Sequence, residues 1–75
     1  MTTTKETTMA ITMRRQPGPM MKRMGQQQAL IGERAILDSE LITGTLTMDK
    51  DCVATIVTEE RFKAQLEGWG YEEVR

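Results

Sequence analysis

The chain has 75 residues, a net charge of −1, one cysteine and no histidine. Those figures exclude an internal disulfide, the usual tetrahedral zinc set and any Ser-His or Cys-His catalytic pair. A chain this short hides only ~60% of the surface its unfolded form exposes, so burial against a partner subunit or another protein is the expected support.

The small net charge conceals an asymmetry. Residues 1–32 carry five cations (Lys5, Arg14, Arg15, Lys22, Arg23) against the single acid Glu6, whereas residues 33–75 carry five cations against ten acids. The chain reads as a basic arm joined to an acidic body. No apolar run approaches the ~20 residues that cross a bilayer, and the N-terminus lacks the apolar centre of a secretory signal. Its Thr-rich, basic composition suits an organelle transit peptide, but Pro17-Gly18-Pro19 would break the helix such a peptide needs. A lone thiol in this setting fits a cytoplasmic protein with no membrane partner.

Residues 2–8 have no apolar side chain and read as a flexible end. Residues 9–15 alternate, with Met9, Ile11 and Met13 on one side, as a segment able to add to a sheet edge. Pro17-Gly18-Pro19 ends regular structure there. Residues 20–28 suit a short helix with Met20, Met21 and Met24 on one face and Lys22 and Arg23 in solvent. Residues 29–40 read as a helix to about Gly32 followed by a short strand.

The clearest pattern lies in residues 41–70. Ile42, Leu46 and Met48 alternate with Thr43, Thr45 and Thr47, a half-buried strand in which Gly44 marks a bulge or a close backbone approach. Asp49-Lys50-Asp51 then turns a hairpin. Residues 52–58 are apolar on both sides, with Cys52, Ala54 and Ile56 on one face and Val53, Thr55 and Val57 on the other, as in a strand covered on both faces. Thr58 is a good N-cap for a helix over residues 59–66, with Glu59 and Lys63 paired at i, i+4. Phe62, Leu66 and Trp69 share a core face, with Trp69 expected as a core or interface anchor. Gly68 and Gly70 stop the helix, and residues 71–74 form a short edge strand.

The residues capable of chemistry are few. Asp49 and Asp51 lie in a loop too short, and without the central glycine, for an EF-hand. Cys52 follows two aspartates, so its thiol is expected to act as a small buried hydrophobe. Six of the seven methionines fall in the first 24 residues, interleaved with cations, which suits an adaptable docking surface better than a copper site. The cations there would also give a modest, salt-sensitive affinity for nucleic acid phosphates, although no aromatic residue accompanies them.

The sequence therefore predicts an α+β protein: a small β-hairpin-plus-helix body of two to four strands and one helix, with an extended N-terminal arm. Residues 1–28 form the arm and residues 29–75 the body. The expected function is non-enzymatic protein interaction or assembly with a protein partner or further copies, and nucleic acid is the alternative. The arm residues expected to meet a partner are Met13, Arg14, Arg15, Met20, Lys22 and Arg23, and no cofactor or metal is expected.

Overall fold

The computed structural model of the chain describes residues 10–74. The expected flexible end at residues 2–8, and Met9, lie outside the described residues. Strand β1 (Ala10–Arg15) leads into two helices, α1 (Pro19–Met24) and α2 (Gln26–Ser39). A hairpin of β2 (Gly44–Met48) and β3 (Ala54–Glu59) follows, then a 3-10 turn (Glu60–Phe62), helix α3 (Lys63–Gly68) and the short strand β4 (Glu72–Glu73). The protein is α+β, as its patterning predicts.

Among the described residues the strands form one sheet in the order β2-β3-β1-β4, with every neighbouring pair antiparallel. The crossover from β1 to β2 thus straddles β3, and the crossover from β3 to β4 straddles β1. Two interleaved β-α-β units of this kind are the split-βαβ, or ferredoxin-like, connectivity.

Residues 10–15 of the expected arm therefore form a central strand of the sheet. Met13 pairs with Ile56 on one side and Glu73 on the other, and its side chain is fully buried. It packs with Leu37, Ile42, Ile56, Leu66 and Tyr71. Such a methionine contributes on the order of 1.5–3 kcal/mol by burial, so it supports the core and is closed to a partner. A second cluster joins Ala29, Met48, Cys52 and Ala54 beneath the start of α2, with Met21 packed against it.

Gly32 does not end a helix. α2 runs on to Ser39 because Ala29, Glu33 and Leu37, at i, i+4 and i+8, are all buried against the sheet. That packing exceeds the ~1 kcal/mol a mid-helix glycine costs. Pro19 likewise opens α1, since its fixed φ suits the first helical position.

The β2–β3 hairpin follows the predicted alternation. Ile42, Met48, Ala54 and Ile56 are buried, and Leu46 packs partly against the core. Gly44 (φ +150°) makes the close approach its place in the strand suggested: a Cβ there would lie 2.4 Å from the Val57 carbonyl oxygen. The turn is held by Asp49, whose Oδ1 accepts from the backbone N–H groups of Asp51 at 2.8 Å and Val53 at 3.0 Å. Cys52 sits in this turn rather than in the strand, buried in a left-handed conformation (φ 63°).

Three further expectations change. Thr58 lies in β3, where its hydroxyl donates to the Thr43 carbonyl, and Glu59 precedes the 3-10 turn. Glu59 pairs with Arg61 at 2.7 Å, while Lys63 reaches Glu73 at 2.9 Å. Trp69 caps the end of α3 and, at 38% exposed, stands outside the core, which leaves the interface alternative of its expected role. The 3-10 turn at Phe62 shifts the helical phase, because it advances 3.0 residues per turn rather than 3.6.

Candidate interaction surface

α1 has no buried residue and carries two of the exposed large hydrophobic side chains. Met21 anchors it half-buried, and Gly25 (φ 86°) breaks it from α2. Met20 is 75% exposed, Met24 stands beside solvent, and Lys22 and Arg23 are exposed between them. Among the described residues no acid lies within ion-pair reach of Lys22 or Arg23. The two cations occupy the last turn, where they complement the helix dipole. Of the residues expected to meet a partner, Met20, Lys22 and Arg23 are therefore all exposed on α1, with Met20 and Arg23 at i, i+3 and Lys22 on the other side of the helix.

The other three go elsewhere. Met13 is in the core. Arg14 points to the opposite, uncovered face of the sheet. Arg15 points to the helix side, where its Nη1 donates to Glu33 Oε1 at 3.0 Å and its guanidinium lies 5.9 Å from the Tyr71 ring centre. Glu33 is fully buried, and the same Oε1 accepts from the Tyr71 hydroxyl at 2.5 Å. Glu33 Oε2 has no partner among the described residues. Burial first, and then the hydrogen bond to Glu33 and its negative charge, raise the Tyr71 pKa well above the ordinary tyrosine value. Arg15, Glu33 and Tyr71 thus form a charged structural clamp joining β1, α2 and the entry to β4. A cleft of about 290 Å³ lined by Arg14, Arg15, Gln16, Gly70 and Glu72 opens beside it.

The uncovered face of the sheet is polar rather than apolar. Register places Thr47, Thr55, Arg14 and Glu72 in one row across all four strands. A second row holds Thr45, Val57 and Thr12. Among the described residues nothing packs on this second face of β3, and its threonines make it polar. Val57 is its one exposed large hydrophobe among the described residues.

The sheet edge at β2 is partly closed. Gln26 Nε2 donates to the Met48 carbonyl at 2.8 Å, and Arg34 donates to the carbonyls of Ile42 at 3.0 Å and Gly44 at 3.2 Å. α2 side chains thereby occupy acceptors that an added strand would use. Between them lies a shallow apolar groove of about 340 Å³, lined by Leu30, Ile31, Arg34 and Leu46.

At the far end of α2 stands Leu41, 80% exposed, with a left-handed backbone (φ 59°). Its N–H donates to the Asp38 carbonyl at 3.1 Å, and the Ile42 N–H donates to Leu37 at 2.9 Å. This is a Schellman motif with Ile42 and Leu37 in hydrophobic contact. α3 ends in the same motif, with Tyr71 N–H donating to Leu66 and Gly70 N–H to Glu67. There the left-handed position is filled by Gly70 (φ 97°), the residue suited to it. The same backbone turn carries a strained leucine in one helix and a glycine in the other.

Among the described residues no group of His, Cys, Asp or Glu side chains is placed to hold a metal ion, and no helix is long and apolar enough to cross a membrane. No family model matches the chain, and no curated protein or solved structure matches it closely enough to carry an argument.

Proposed function

We propose that this chain is a non-enzymatic protein-interaction or assembly protein that docks through α1. The observation that carries this reading is the exposure of Met20, Met24, Lys22 and Arg23 on one short helix, with no acid among the described residues within ion-pair distance of either cation and with Asp51 sharing a groove with Lys22. Methionine repacks against irregular apolar ground, while the cations select an acidic rim. The surface that fits is a protein face with an apolar centre and carboxylates around it. The chemistry of the remaining residues supports a non-catalytic role, since the single thiol is buried and the charged clamp is spent on the fold. The open sheet face supports nucleic acid less well. Its described residues include no aromatic side chain for base stacking, and Arg14 shares its row with Glu72.

Affinity capture from the native source, with components identified by mass, tests the docking surface. The wild-type bait should retain a partner that a Met20→Ser/Lys22→Gln/Arg23→Gln bait loses at least ~10-fold, a difference of about 1.4 kcal/mol in binding. Equal recovery by both baits would overturn the assignment to α1.

A further inference from the structure

We infer that the partner of α1 is the acidic, Leu41-bearing end of a second copy of this chain, so that copies associate head to tail. This rests on the reading of α1 as a docking surface and names its occupant.

The two ends are complementary. α1 offers exposed Met20 and Met24 at i, i+4 with Arg23 beside them and Lys22 on the helix's other flank. The opposite end offers an exposed leucine beside Glu40, whose carboxylate, among the described residues, accepts only from the neutral Gln65 amide at 2.9 Å. Neighbouring Asp38 is paired with Arg34 at 3.0 Å, so the end carries one uncompensated negative charge. Opposite charge around matched apolar centres favours this pairing and disfavours either end meeting its own kind. The fold by itself gives no reason for Leu41. Its side chain is outside the core, and its backbone adopts a conformation that glycine fills in the sister motif. Strain at an exposed hydrophobe is explained when the side chain is buried in a complex.

Geometry makes the contact intermolecular. α2 has 14 residues between the two ends, or about 20 Å of helix. α1 adjoins the start of α2, which is fixed where Gln26 bonds Met48. Leu41 is fixed at its finish, where Arg34 bonds Ile42. A surface pairing with a different surface on the next copy is heterologous, so it continues as a chain or closes as a ring. The carbonyls that Gln26 and Arg34 occupy on the β2 edge leave α1 and Leu41 as the better route to a second copy than strand addition.

Sedimentation velocity on the whole chain tests this with two variants. The first, Glu40→Gln/Leu41→Gly, keeps α1 and removes the leucine end. The second, Met20→Ser/Lys22→Gln/Arg23→Gln, keeps the leucine end and removes α1. All its changes are at exposed sites, and circular dichroism confirms that both variants fold. The wild type should grow past a dimer as concentration rises toward ~1 mM, the range of weak interfaces. Each variant alone should associate at least tenfold more weakly. An equimolar mixture should form one-to-one pairs that grow no further. A wild type that stays monomeric, variants that associate as the wild type does, or a mixture that stays monomeric would each overturn the inference. A monomeric wild type whose α1 still captures a different protein overturns the self-association alone. A monomer that captures nothing overturns the docking surface as well.

Discussion

Replacing Leu41 by glycine should stabilise the folded monomer. Leu41 occupies the left-handed position of the Schellman motif that ends α2, at φ 59°. An L-residue with a β-carbon pays roughly 1–2 kcal/mol there. Glycine removes that term, offset by its extra unfolded-state entropy of roughly 0.5–1 kcal/mol. The motif's hydrogen bonds run from the backbone N–H groups of Leu41 and Ile42, so substitution leaves them intact. At 80% exposure the leucine loses little burial. The net gain is about 0.5–1 kcal/mol, which in a domain of this size raises Tm by roughly 3–6 °C. Thermal unfolding followed by circular dichroism, at a concentration low enough to keep the chain monomeric, reads it directly. A fall in Tm would refute the reasoning, because it would mean that the side chain supports the fold.

Tyr71 is the only tyrosine, so its ionisation is read at 295 nm without interference from another phenol. Its pKa is raised in the fold by burial and Glu33, so the folded state holds the proton after the unfolded chain has released it. The resulting stability is fully present below the unfolded value of about 10 and declines as pH rises through the folded value, by about 1.4 kcal/mol per pH unit. Tyr71→Phe should remove that slope and cost about 1–3 kcal/mol at neutral pH by taking a donor from the buried Glu33, as measured by urea unfolding. Gly44→Ala should destabilise by on the order of 2–3 kcal/mol or prevent folding, since its methyl would meet the Val57 carbonyl and the Thr58 side chain in β3. Cys52 is buried, so a thiol reagent should modify the native chain at least ~100-fold more slowly than the urea-unfolded chain, and equal rates would refute its placement.

The parts of the fold that obey a simple period were legible in the sequence. Ile42, Leu46, Met48, Ala54 and Ile56 line the core side of the hairpin as their alternation implies, and Gly70 ends α3. The parts that depend on distant partners were not. Residues 9–15 alternate as a segment able to add to a sheet edge, but the central place of β1 does not show, because the basic, Met-rich composition around Arg14 and Arg15 marks the stretch as an arm. The residue that neutralises Arg15 is Glu33, 18 positions away on another element. Glu33 conceals the helix as well, since a carboxylate on the buried line interrupts the apolar period of Ala29 and Leu37. That interruption makes the glycine at position 32 look like a boundary. The spacing of Ala29, Glu33 and Leu37 at i, i+4 and i+8 was the available signal. Thr58 looked like a cap because threonine serves both caps and strands, and register with Gly44 and Ile11 holds it in β3.

The surface divides in the same way. Met20, Lys22 and Arg23 stand out in composition, and a local helix is enough to expose all three. Leu41 does not stand out, because it reads naturally as the first apolar residue of a strand. Its exposure follows only from the turn that reverses the chain after α2, which buries Ile42 in its place.

The central claim is that α1 and the Leu41 end hold copies together through charge and exposed apolar side chains. Sedimentation velocity on the wild type over rising concentration, at low salt and again near 0.5 M salt, tests it most directly. The Debye length falls to about 4 Å at the higher salt, so exposed ion pairs are screened. The account predicts growth beyond a dimer at low salt and a clear weakening at high salt. A single monomeric species at every concentration and both ionic strengths would contradict it.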